Sequence, residues 1–495
     1  MNGFLNGLMA VWAFFQNNIL TKPAFFVGLI VFLGYVLLRK PFYEALAGFI
    51  KATVGYMILN VAAGGLVGNF RPILAGLNQR FNLNAAVIDP YFGQAAAQAA
   101  VEGIGRSFTM MMQVLLIAFI WNLLLVLMRK ATKVRTVFIT GHIMVQQSST
   151  ALWLVLLCFP QLNDPGVVSM LGLFLGTYWA VAANMTVNAT QHLTDGGGFA
   201  VGHQQMMGIW MIDKIGDALN KKNGTISNKD KKIEDIKLPG FLSIFNENIV
   251  ATSILMTLFF GIIMVILGAD TMHAMDKGFS KNQNFGFYIV EKSFMFAVYL
   301  QILQLGVRLF VAELTESFQG ISNKLLPGSV PAVDCAATYG FGHPNAVTIG
   351  FLFGAFGQFL AIAGLIVFKS PVFIITGFVP VFFDNATFAV FANKKRGLKF
   401  AVVMTFISGI IQVLGGAFAA YYFKLAQYGG WHGNFDWDTL WPIFGVIMRN
   451  LHYVGVAICI VFLLAIPQLE YFFGKYRRED YFKVVEDYAA VKKTV

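Results

Sequence analysis

With 495 residues, 57% of them hydrophobic and only 12% charged, the chain is too apolar for a soluble protein, in which about a quarter of residues carry charge. The net charge of +11 does not argue for nucleic acid, because the basic residues sit in short loops between apolar runs, where membrane topology accounts for them. The period-two alternation of a membrane barrel is missing, which leaves an all-α polytopic membrane protein.

In chain order, residues 1–22 mix aromatic and polar positions (Trp12, Phe14, Phe15, Gln16) and read as a helix lying at the interface. Apolar spans follow at about 24–38 and 44–68. Asn69 to Ala100 breaks the pattern with Arg71, Arg80 and Asp89, and reads as an amphipathic helix plus a re-entrant piece. Spans three to five lie at about 108–128, around the stretch Val137–Thr150, and at 167–187. Thr194-Asp-Gly-Gly-Gly-Phe199 then predicts a re-entrant hairpin with His203 and Gln204 near its tip. The lysine-rich segment 213–240 divides two halves. Spans six to eleven are expected at about 249–267, 287–307, 347–368, 372–391, 400–423 and 441–466. An amphipathic stretch, Val311–Gly320, and a Gly/Pro-punctuated element, Pro331–Pro344, interrupt them. Basic loops follow spans one, three, five, nine and eleven, so the N-terminus is expected outside and the C-terminus inside. No cleaved signal peptide is expected. Cys158, Cys335 and Cys459 fit neither a disulfide framework nor a metal spacing, and no metal or cofactor is expected. Cys335, next to Asp334, reads as a buried small residue or a reactive thiol.

The densest polarity within an apolar span is Val137–Thr150, which holds His142, Gln146, Gln147 and several hydroxyls. On a helix His142 and Gln146 share a face. That face must meet protein or a wet cavity, so the pair is either a ligand site suited to a polyol or glue between helices. Phe373-Ile-Ile-Thr-Gly377 echoes Val137-Phe-Ile-Thr-Gly141, and Phe318–Asp334 echoes Phe70–Asp89. Two homologous halves of five spans each must then insert upside down relative to one another, giving an inverted 5+5 repeat plus one C-terminal helix, about eleven spans in all.

Four motifs, Thr140-Gly-His-Ile-Met-Val-Gln-Gln147, Thr194-Asp-Gly-Gly-Gly-Phe199 with Gly202-His-Gln-Gln205, Ala332-Val-Asp-Cys-Ala-Ala337 and Thr376-Gly-Phe-Val-Pro380, together resemble the membrane component IIC of the bacterial L-ascorbate phosphotransferase system. The resemblance runs over nearly the whole chain. It implies a homodimeric permease of the inner membrane, embedded in lipid, that moves L-ascorbate by an elevator-type shift. It also implies phosphorylation at the cytoplasmic face by a cysteine-charged IIB subunit that is a chain separate from this one, as is IIA, so that this chain acts as the transport subunit of a phosphotransferase complex. The implied V-shaped dimerisation domain covers 1–68 and 241–312. The core covers 69–212 and 313–440, with a cytoplasmic linker at 213–240 and a last helix and tail at 441–495. Ligand contacts carried over by the resemblance fall on Pro90, Tyr91, His142, Ile143, Met144, Val145, Gln146, His203, Gln204 and Asp334. Pro90 stands where relatives carry a hydroxyl residue, so it can contribute only backbone or packing.

Asp334 lies in a broken intramembrane element, where an acid is costly unless it has a task. It either orients or deprotonates the attacking hydroxyl, or caps a helix and pairs with a cation. Glu313 and Glu316 read as structural, Asp384 and Asn385 as packing groups mirroring Ser148 and Ser149, and His343, His432 and His452 are given no role. The competing function is an ion-coupled secondary transporter of a sugar acid or polyol, using Asp89, Asp195, Asp334 and Asp384. A membrane enzyme that only phosphorylates is disfavoured by the repeat.

Overall fold

The computed structural model describes residues 22–81, 84–223, 233–235, 239–240, 247–474 and 478–483, and singly Gly7, Phe14 and Ile244. The expected interfacial helix at the N-terminus (apart from Gly7 and Phe14), residues 224–232 and 236–238 of the central linker and the end of the tail therefore lie outside the described residues.

The fold is an all-α polytopic membrane protein. Six described helices are long and apolar enough to cross a bilayer, or seven if the sharply bent pair α9–α10 counts as one. Helix α1 (Pro23–Leu37) leads into α2 (Phe42–Phe81). Here the sequence reading is corrected: no break occurs at Asn69, and the helix runs on through Pro72 for 40 residues. At about 1.5 Å per residue such a helix is roughly 60 Å long, twice the hydrocarbon thickness. What sustains it is a partner of equal length. Helix α11 (Phe285–Leu325, 41 residues) packs along α2 and absorbs the expected amphipathic stretch in the same way. Before it come α9 (Asn248–Leu267) and α10 (Ala269–Met275), which meet at 98° around Gly268.

Between these long pairs the chain alternates short strands with helices. Strand β1 (Asn84–Ile88) leads into α3 (Pro90–Gly103), followed by α4 (Met110–Leu127) and the turn α5 (Arg129–Thr132). Strand β2 (Thr136–Phe138) leads into α6 (Gly141–Cys158), then α7 (Asp164–Thr194). Strand β3 (Ala200–Val201) leads into α8 (Met206–Asn223). The chain reverses at Asp195–Gly198, where Asp195, Gly196 and Gly198 have positive φ. His203 and Gln204 thus lie past the reversal, between β3 and α8, and not at the expected hairpin tip. The glycine run makes the turn, and the polar residues follow it. Helix α8 also takes up the first part of the segment expected as linker.

The second half repeats the alternation. Strand β4 (Val330–Val333) enters a 3-10 helix at Cys335–Phe341 and then α12 (Pro344–Val367). Strand β5 (Val372–Thr376) enters a π turn and α13 (Asn385–Tyr422), which is broken at Arg396–Gly397. Strand β6 (Gly430–Trp431) enters α14 (Phe435–Asp438) and α15 (Leu440–Phe473), broken at His452.

The strands pair across the halves. One parallel sheet has the order β5-β1-β6 and the other β2-β4-β3. Asn84–Ile88 lies beside Val372–Thr376, and Thr136–Phe138 beside Val330–Ala332. Extended backbone at membrane depth is tolerable only when protein covers it. Accordingly Ala86, Val87 and Ile88 are fully buried, as are Val137 and Phe138. Apolar side chains such as Val265, Phe356, Val461 and Phe462 stay exposed on the outer helices, as a lipid-facing surface requires.

Candidate functional site

Strand-to-helix turns leave backbone N–H groups without partners, and an acidic residue at each turn can accept them. Asp334 does so after β4. Its Oδ1 accepts the Ala336 N–H at 2.9 Å. Its Oδ2 lies 3.3 Å from His142 Nε2, at the first turn of α6. The cap and the pairing that were alternatives to a functional role are therefore both present. The carboxylate keeps about a third of its surface open (36%), whereas the His142 side chain is 11% exposed. His142 Nδ1 is buried with no hydrogen-bond partner among the described residues.

The His203 ring faces His142 edge-on, with centroids 6.3 Å apart. Its Nδ1 meets Gln205 Oε1 at 2.5 Å. When Nδ1–H donates to that amide oxygen, Nε2 is left as an acceptor. The donor atoms of His142, His203 and Asp334 lie within 4.8 Å of one another, a set that can hold a divalent cation as well as a hydroxyl or a proton.

One turn along α6, Gln146 Oε1 accepts from Gln204 Nε2 at 2.5 Å. The Tyr91 side chain of α3 lies near Gln146. Tyr91 is placed by Asp89, whose Oδ1 caps its N–H at 3.0 Å. Pro90 occupies the first position of α3, buried and with no N–H to give, so it sets the entry angle only. Ile143, Met144 and Val145 are at most 1% exposed and form the apolar wall of α6. Gln147 points elsewhere: its Oε1 accepts the Trp179 indole N–H at 2.5 Å, and its Nε2 donates to the His203 carbonyl at 3.3 Å. It ties α6 to α7 and to the β3–α8 turn.

The expected site residues therefore converge: Asp334, His142 and His203 form one cluster, and Tyr91, Gln146 and Gln204 form the next. Cys335 follows Asp334 directly. It is fully buried beside the Tyr339 hydroxyl, as a packed small residue. The sequence reading passed over His432, which the fold places against Gln204 and Thr150. The available signal was the polar density of Trp431-His-Gly-Asn-Phe-Asp-Trp-Asp438 inside an apolar stretch. Glu313 and Glu316, read as structural, share the Tyr35 hydroxyl, whose oxygen lies 2.7 and 2.8 Å from their carboxylates, and pair with Lys51 and Lys40. His343 caps α12.

Comparison with known proteins adds two findings. Residues 18–439 match the family model described as PTS system sugar-specific permease component. The chain is also similar to a Mycoplasma pneumoniae protein named "Ascorbate-specific PTS system EIIC component", at 32% identity over 442 residues covering 82% of this chain. The match spans 66% of that relative's length, just under two thirds.

Proposed function

From the premise that this chain belongs to the family of phosphotransferase-system (PTS) sugar-specific permease components, we propose that it carries L-ascorbate across the bacterial inner membrane and presents it for phosphorylation by a separate IIB subunit. The observation that carries this reading is the cluster of Asp334, His142 and His203 beside Gln146, Gln204 and Tyr91. Ascorbate is planar, rich in oxygen and singly anionic near neutral pH. Imidazole and amide groups match its oxygens, and the Tyr91 ring can cover an edge.

Asp334 is the catalytic group in this reading. The substrate hydroxyl attacks the phosphoryl group on the IIB cysteine. The S–P bond breaks, an O–P bond forms, the thiolate leaves, and the hydroxyl proton passes to Asp334. The product is the 6-phosphate. The name of the Mycoplasma relative supports the choice of sugar.

Movement is by an elevator-type shift of the core (69–212 and 313–440) against a dimerisation domain (1–68 and 241–312). All six strands fall in the core segments, and their cross-half pairing supports a core that moves as one body. The same exchange, with an Asp cap after β1 and after β4, supports the inverted repeat. The proposed boundaries fall inside the continuous helices α2 and α11, so motion would bend them, with Pro72 the natural point in α2. A cavity of about 940 Å³ lined by Lys214, Lys221, Lys394 and Lys395 supports a cytoplasmic position for that face, and with it an inward C-terminus.

The test is uptake by vesicles holding the purified chain. Ascorbate should accumulate only with phosphorylated IIB, and its mass should be that of the phosphate ester. Uptake of unmodified ascorbate, driven by a proton or sodium gradient without IIB, would select the ion-coupled alternative.

A further inference from the structure

The amide of Gln146 can face a ligand with either of two ends, an N–H donor or a carbonyl acceptor, and the choice decides which oxygen it favours. We propose that His432 is a positioning residue that makes this choice, holding the NH2 end of Gln146 toward the substrate and so favouring an ionised or carbonyl oxygen. The proposal rests on the reading of this pocket as a sugar-acid site and deepens it.

The argument is a chain of hydrogen bonds joining the two halves. Thr150 Oγ1 lies 2.7 Å from His432 Nδ1. His432 Nε2 bonds Gln204 Oε1. Gln204 Nε2 meets Gln146 Oε1 at 2.5 Å. Each link fixes the next. Ser149, Thr190 and Thr194 spend their hydroxyl protons on the carbonyl four residues back. Among the described contacts, Thr150 bonds His432 instead, so its proton is available to Nδ1. The ring then carries its own proton on Nε2 and donates to Gln204 Oε1. Gln204 must turn its NH2 to Gln146 Oε1. Gln146 then has its NH2 to give, on an amide that lies near Tyr91. Reversing any one link leaves two donors or two acceptors facing each other in a dry site, a cost of about 1–3 kcal/mol for each group left unpaired.

The ring itself has little freedom. His432 is fully buried and stacks on Trp437 at 4.0 Å, which stacks on Trp441 at 4.3 Å. From the other side α3 presses its backbone against the ring's own main chain. A Cβ at Gly93 would lie 2.5 Å from His432 Cα, so only glycine fits there.

Two measurements on the full-length protein decide the matter. Nitrogen-15 spectra of ring-labelled protein, with His432→Gln to assign the signal, should show His432 neutral with its proton on Nε2. A proton on Nδ1 overturns the proposal, whether or not the protein binds ascorbate. Ascorbate binding is then compared among variants whose melting is checked. His432→Phe keeps the stacking surface but removes the donor, and should weaken binding by about tenfold or more. His432→Gln, with an amide N–H in the place of Nε2, should recover much of that loss. On a Gln146→Ala background His432→Phe should have little further effect, since it acts through Gln146. Full additivity, wild-type affinity in His432→Phe, or a folded His432→Gln no better than Phe each overturns the proposal. Absence of ascorbate binding by the wild type would instead sink the sugar-acid reading, while the tautomer still reports on His432.

Discussion

Asp334 and Asp89 occupy the same place in two similar turns, and they lead different lives. Each follows the central strand of a parallel three-stranded sheet, and each caps the helix beyond it. Beside each, a neighbouring strand leads into a Thr-Gly pair, Thr140-Gly141 just past β2 and Thr376-Gly377 at the end of β5. The next residue is His142 in one case and Phe378 in the other. Asp334 Oδ2 therefore meets an imidazole and keeps part of its surface open. Asp89 Oδ2 accepts the Val379 N–H at 3.3 Å and is 1% exposed, near a cluster formed by Phe378, Phe382 and Phe383. One architecture thus carries the proposed chemical site in one place and a fully packed carboxylate in the other, and the residue after the Thr-Gly pair distinguishes the two.

The strongest way to break this comparison is to neutralise both acids. Asp334→Asn keeps an oxygen for the Ala336 cap, so melting should change little, while IIB-dependent uptake should fall on the order of a hundredfold to ten-thousandfold. Asp89→Asn should do the reverse. Its new NH2 would face the backbone N–H of Tyr91 or Val379, lowering stability by about 1–3 kcal/mol while uptake per folded molecule persists. Uptake and thermal unfolding measured side by side would show it, and equal losses of uptake in both would dissolve the distinction.

A sharper test exchanges the residues that distinguish the turns. His142→Phe should cost about 1–3 kcal/mol of ascorbate binding, roughly tenfold to a hundredfold, without early melting. Phe378→His buries an imidazole among aromatic rings and should lower the melting temperature while leaving affinity alone. Binding isotherms and melts of the two variants are the check.

A smaller contrast lies within α6. Gln146→Ala should weaken ascorbate binding about tenfold. Gln147→Ala removes the bonds to Trp179 and to the His203 carbonyl, so it should lower stability by about 1–3 kcal/mol with a smaller change in affinity. Early melting with normal binding in Gln146→Ala would make that residue helix glue. The least effect belongs to Lys51→Ala. Its pair with Glu313 is 57% exposed on the lysine side and should be worth less than about 1 kcal/mol in a denaturation curve.

The membrane class, the apolar helices and the polarity of His142, Gln146, His203, Gln204 and Asp334 were legible in the sequence, while their convergence was implied only by the family resemblance. Each of those polar residues is expensive in hydrocarbon and is set in a run that glycine or proline breaks. The strands were not legible. They are two to five residues long, and their partners lie in the other half of the chain, beyond any local periodicity. The continuity of α2 through Pro72 was hidden because a helix leaving the bilayer turns polar, and only a partner of matching length shows that it continues. His432 was missed because its role comes from what it touches: nothing within its own segment announces Thr150 or Gln204.

The exchange of strands also has a consequence for how the protein is made. Synthesis delivers β1 long before its neighbour β5, since Ile88 and Thr376 are 288 residues apart. At a translation rate of 5–20 residues per second the first strand waits roughly 15 to 60 seconds. Throughout that interval the nascent first half carries extended, unpaired backbone inside or beside the bilayer. Neither sheet can close on the ribosome until the second half has been threaded into the membrane. The two halves should therefore assemble late and together, and separately expressed halves should recover the fold only when they meet in the same bilayer.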